Sequence, residues 1–300
     1  MPGESRSHTH SVGPVAKTVR TEPDDLAKRA SNLRQVSAHI KTYSAGNAVL
    51  VFGDSNSRYS RTADVPAVFM NENGMKDAWV ELARGGVVPT AESLCTNPSS
   101  TTFCEIVDKL WYRGSPSLNL QATSFQYAGS KFLQADGNLL SDHDPIVVDF
   151  KWSLNNAFRV SDPWGGPHGD YYTDLTTLST ISAPKAASIT LSGGNRLDSV
   201  SLTLASGQKF THGGTGGTAS TLKLNQGETF VSATMCQAKY SNSTRLFYME
   251  VKTSAGRTVS AGTKSGDCVT RNAEPGWGIV GFTGRAVENV DRAAFIFGKM

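Results

Sequence analysis

Excess charge of either sign is scarce: 29 Lys and Arg stand against 26 Asp and Glu, a net charge of +3. No basic run is long enough to serve as a nucleic-acid arm, so nucleic acid is not indicated as a partner. Long apolar runs are missing too. No window approaches the roughly 18 consecutive apolar residues of a membrane helix, so no transmembrane segment is expected. The opening MPGESRSHTHSVG holds no apolar stretch that would act as a secretion signal. What is present is 38% hydrophobic residues with 29 Gly and 12 Pro in 300, a balance suited to a loop-rich β or α/β protein of about two domains.

Cysteine is also rare, at four residues, and its placement is informative. Cys95 and Cys104 bracket the polar loop TNPSSTTF, while Cys236 and Cys268 lie in a later region of different texture. One pair per region predicts two disulfides, adding roughly 3 and 4 kcal/mol in the chain-entropy model. Four free buried thiols are the alternative reading. Disulfides belong to oxidising compartments, and the sequon Asn242-Ser243-Thr244 is compatible with secretion. The expectation is an extracellular protein whose export signal lies upstream of Met1.

Composition changes near residues 155–165. Before that point Leu26, Ala30, Leu33, Val36 and Ile40 recur at helical spacing, and AVLVF then reads as a buried strand. After it come short runs of β-formers, SITLSG, DSVSLTLAS, TFVSATMCQA, RLFYMEVKTS and AAFIFGK among them, punctuated by glycine and without a convincing helix. The predicted organisation is a flexible segment 1–22, an α/β domain 23–154, a linker 155–162 and an all-β domain 163–300.

AVLVF runs directly into Gly53-Asp54-Ser55-Asn56. Residues two apart on a strand share a face, so Asp54 and Asn56 can enter one pocket. A second cluster, Asp142-His143-Asp144-Pro145, precedes the strand IVVDF. VLVFGDSN, EIVDKLWYRG and LSDHDPIVVDF, in this order, resemble the endonuclease/exonuclease/phosphatase superfamily, the DNase I-like metal-dependent phosphodiesterases. The resemblance implies an α/β sandwich of which this chain carries the later part. It gives Asp54 the attacking water, Asn56 the scissile phosphate, His143 the pentacovalent phosphate, Asp108 the orientation of His143 and Asp142 a divalent metal, Mg²⁺. Asp144 is read as a turn residue, and His10 as a second phosphate-binding histidine. The family's early asparagine and metal-ligating glutamate precede the matched region, so one sheet face should be left exposed.

The later region carries Gly165-Gly166-Pro167-His168-Gly169 and Gly276-Trp277-Gly278-Ile279-Val280-Gly281, with Asp291 further on. It is similar to the jacalin-related lectins. That resemblance implies a β-prism of three sheets and a carbohydrate or glycoconjugate partner, with Gly169 supplying an amide and Asp291 a carboxylate to sugar hydroxyls. Val287 stands where the sugar-binding motif has glycine, and its branched side chain stiffens that loop. Two functions follow. One is a secreted, metal-dependent phosphoesterase-like protein, truncated in its catalytic part and carrying a lectin module; the other is a lectin-like protein with an inactive phosphoesterase remnant.

Overall fold

The computed structural model describes residues 25–300; the segment expected to be flexible, 1–22, and His10 within it lie outside the described residues. The chain divides into two compact units, but not at the composition change. The first takes the chain up to Ala38, then Leu50–Trp111 and Thr123–Asp149; the second takes His39–Val49, Tyr112–Ala122 and Phe150–Met300. Several elements therefore have residues in both units.

The earlier elements are α1 (Leu26–Tyr43), β1 (Val49–Asp54), α2 (Val68–Asn73), β2 (Lys76–Asp77), α3 (Ala78–Leu82), β3 (Asp108–Arg113), β4 (Leu118–Tyr127) and β5 (Ile146–Leu154). Strands β1, β3 and β2 form one sheet in that order, and β4 pairs with β5. The first unit's core is aromatic: Phe69, Trp79 and Trp111 are buried, with Phe69 and Trp111 ring centroids 4.8 Å apart. Asp77 caps α3 by accepting from the backbone N–H groups of Trp79 and Val80. On β1, Leu50 and Phe52 face solvent, Phe52 at 70% exposure, so alternation leaves an apolar face of this strand uncovered.

The second unit holds β6 (Phe158–Val160), β7 (Trp164–Gly165), β8 (Asp170–Thr173), the short helix α4 (Leu175–Leu178) and ten longer strands. These are β9 (Ala186–Gly193), β10 (Leu197–Leu204), β11 (Lys209–Gly213), β12 (Thr218–Lys223), β13 (Phe230–Tyr240), β14 (Ser243–Thr253), β15 (Thr258–Gly262), β16 (Asp267–Asn272), β17 (Trp277–Ala286) and β18 (Val290–Lys299). They make three antiparallel sheets, β11-β10-β9-β12, β15-β14-β13-β16 and β6-β18-β17-β8, with β7 also on β18. Each sheet turns an apolar face inward, and Leu191, Leu202, Met235, Met249, Phe282 and Phe295 meet in one core. This is the three-sheet arrangement expected of the later region. Asp174, buried beside that core, accepts from His212 Nε2 and from the Phe282 N–H, both at 2.8 Å, joining two sheets through one carboxylate.

The predicted linker needs correction. Phe158–Val160 pairs with β18, and Phe158 is buried in the common core; the polar neighbours that suggested a linker flank one strand whose apolar residue pulls it onto the sheet edge.

Both disulfides form within their regions, Cys95–Cys104 and Cys236–Cys268, and no described cysteine is free. Cys236 and Cys268 lie directly opposite on β13 and β16. Non-reducing peptide mapping should recover these two crosslinks and no other. Replacing Cys236 and Cys268 together by Ala should lower the stability of the second unit by about 4 kcal/mol in chemical denaturation.

Candidate functional sites

Asp54 ends β1 and Asp108 begins β3, neighbouring strands of one sheet. The Asp54 carboxylate accepts from the Asn56 backbone N–H at 2.8 Å and from Asn56 Nδ2 at 2.9 Å. That turn puts Asn56 at φ +48°, in the left-handed region that asparagine tolerates better than other side-chain-bearing residues. His143 reaches both aspartates from the loop before β5: its Nδ1 lies 2.9 Å from Asp108 Oδ2 and its Nε2 lies 3.9 Å from Asp54 Oδ2. A cleft of about 230 Å³ opens beside it, lined in part by Phe52, Asp108, Leu110, His143 and Ile146.

This setting favours the charged form of the imidazole. The hydrogen bond to Asp108 raises the His143 pKa above its usual 6.5 against a smaller opposing effect of burial, and the Asp108, Asp54 and Asp142 charges add to the rise. Asp108 is itself raised, because burial outweighs the help of His143 and Asp54 repels it.

Two buried carboxylates hold these loops. Asp144 is buried, with Oδ1 accepting from the Gly129 N–H at 2.6 Å and Oδ2 from the Ser99 N–H at 2.7 Å. Ser99 lies inside the Cys95–Cys104 loop, as does Asn97, whose Nδ2 donates to the Ser141 carbonyl at 3.0 Å. The disulfide loop is thus the clamp that positions His143. Glu105 does the same for the turn after β1. It accepts from the Tyr59 N–H and from Ser60, and it pairs with the buried Lys109 at 3.0 Å. Burial works to raise the Glu105 pKa, but Lys109 and the Tyr59 and Ser60 donors hold it below its usual value. Nothing in the motif singled out these anchors; a carboxylate beside Pro145 and one three residues before Asp108 are the only sequence traces.

Asp54, Asp108 and His143 are the described group with potential metal-ligand atoms within 4.8 Å of one another. Asp142, the expected metal ligand, is exposed on the loop and not part of that group. The donor set fits Mg²⁺ poorly, because the ion demands an octahedron of oxygens and the group offers two carboxylates and one imidazole.

The second site lies where Gly169 meets Asp291. Gly169 has φ +74°, and a β-carbon there would stand 2.6 Å from Asp291 Oδ2, so only glycine permits the approach. The loop is tied down by the Gly166 N–H, which donates to the Asp291 carbonyl at 2.8 Å, and by Arg285, which donates to the Gly169 carbonyl at 2.9 Å. Gly169 and Asp291, named together from the sequence, lie side by side, and a third residue not named there joins them. Arg245, on β14, donates through Nη1 to Asp291 Oδ1, and the Asp291 side chain is 1% exposed. Burial raises the Asp291 pKa, with Arg245 and His168 acting against it. Val287 is exposed, and its N–H is taken by the Asn289 carbonyl.

Comparison with known proteins adds two similarities. Sphingomyelinases of Mycobacterium bovis and Mycobacterium tuberculosis are 39% identical to this chain over 127 residues, which is 42% of the chain and 25% of each relative. The chain therefore spans about a quarter of their length. Among solved structures, Malaysian banana lectin matches 47% of the chain and 99% of its own at 21% identity and a TM-score of 0.41. Artocarpin in complex with mannotriose matches 47% and 98% at 23% identity and 0.41. Residues 161–296 match the jacalin-like lectin domain family, and this part of the chain is a jacalin-like lectin domain.

Proposed function

We propose that this protein binds carbohydrate through its jacalin-like lectin domain and joins to it a phosphoesterase-like part of low intrinsic activity. The carbohydrate half rests on the family match over 161–296 and on the convergence of Gly169 with Asp291. A carboxylate beside a glycine loop suits a polyol, since each hydroxyl donates to the acid while accepting from a backbone N–H. The phosphoester half rests on a single observation, the meeting of Asp54, Asp108 and His143 at one end of a sheet, and gains support from the sphingomyelinase relatives, whose name implies a phosphodiester headgroup. In this reading Asp108 holds His143 as an imidazolium, His143 faces the negative charge that develops on a phosphoryl group, and Asn56 keeps Asp54 aligned toward an attacking water. Mg²⁺ remains a family expectation, and its further oxygens would have to come from beyond the described donor set. An extracellular setting is supported by the two disulfides.

With Mg²⁺ and bis-p-nitrophenyl phosphate, the 300-residue chain should hydrolyse close to background. Robust turnover that His143→Ala abolishes would overturn the low-activity reading and make the chain an enzyme in its own right.

The titration of His143 follows from its geometry. NMR of the ring resonances should place its pKa above 6.5, and Asp108→Asn should bring it down. Because the folded value is raised, the stabilisation from the imidazolium is fully present below about 6.5 and fades as pH rises through the folded value. A ring that titrates at or below the ordinary value would show that Asp108 does not hold the charge.

A further inference from the structure

Arg245 does more than neutralise a buried acid. Its Nη1 donates to Asp291 Oδ1, while its Nε–H is enclosed without a partner. The pair is one-pronged, where an arginine fork and a carboxylate can make two parallel bonds. The guanidinium side chain is 25% exposed against 1% for Asp291, so the arginine, not the acid, is the group a ligand meets first. Arg245 stands at the start of β14, against the same glycine loop: a β-carbon on Gly166 would fall 1.8 Å from the carbonyl oxygen of its neighbour Thr244.

A neutral hexose that engages both oxygens of Asp291 displaces Arg245 from Oδ1 and leaves a largely buried cation without a counter-charge, an expensive exchange. A sugar that brings its own carboxylate makes the exchange in kind. Its acid group takes over the exposed part of the guanidinium, and its hydroxyls take Asp291. We propose that Arg245 sets the specificity of this site, turning it from neutral hexoses toward saccharides that carry a carboxylate, the uronic acids. The inference rests on the reading of Gly169 and Asp291 as the carbohydrate site. Specificity would then lie as much in the penalty on the wrong ligand as in contacts to the right one.

Calorimetric titration of the full chain with methyl glucuronide, methyl mannoside and acetate tests this. The wild type should bind the glucuronide at least ten-fold more tightly than the mannoside, with acetate a weak competitor. Arg245→Gln, with folding checked by circular dichroism, should lose at least ten-fold toward the glucuronide and gain toward the mannoside. If that variant misfolds, Arg245→Lys, which keeps the charge but not the fork, should weaken glucuronide binding several-fold. Wild-type preference for mannoside, sensitive to Asp291→Ala, would overturn the role of Arg245 and leave the carbohydrate site standing. Unchanged affinities in the Arg245 variants, or acetate binding as tightly as the glucuronide, would also overturn it. If no saccharide binds any form, the carbohydrate site itself is wrong and the inference falls with it.

Discussion

A carboxylate taken out of water must be met by donors, and that constraint organises both units of this protein. Glu105, Asp144, Asp174 and Asp291 are all buried. An unpaired charge in the interior costs several kcal/mol, so each of these acids gathers N–H groups and cations from distant parts of the chain. Glu105 draws in Tyr59, Ser60 and Lys109; Asp144 draws in Gly129 and Ser99; Asp174 draws in His212 and Phe282; Asp291 draws in Arg245.

The functional groups stand one step away from these anchors. His143 is the residue next to Asp144, and its side chain remains 41% exposed while Nδ1 lies on Asp108. Asp54 and Asn56 lie on the turn whose far end Glu105 secures. The fully buried acids tie distant loops together, while Asp54 and Asp108 beside them stay partly open to solvent. Asp291 is at once a buried anchor and the expected reader of a sugar, and its one cationic partner among the described hydrogen bonds is Arg245.

Much of this was legible in advance. The alternation in AVLVF, the helical spacing from Leu26 to Ile40 and the glycine-punctuated runs after residue 165 are local signals, and local signals follow from the periods of 2 and 3.6. Cysteine pairing was legible because each pair sits inside one region. The boundary was not, since Phe158 looks like a linker residue until β18 is beside it. Asp144 was legible as a structural turn residue, but not the partners that bury it, Gly129 and the Ser99 of the Cys95–Cys104 loop.

The sequence by itself determined the element types and the two textures, because each depends on neighbours a few residues apart; the cysteine partners followed from one pair lying in each region, and the meeting of Asp54, Asp108 and His143 from the family resemblance of the motifs that carry them. Only the tertiary structure decided which acids are buried, where the strands cross between units and that Arg245 lies on Asp291, 46 residues away in the chain. Contacts of that kind are set by the register of sheets that close on one another, and no local period encodes them.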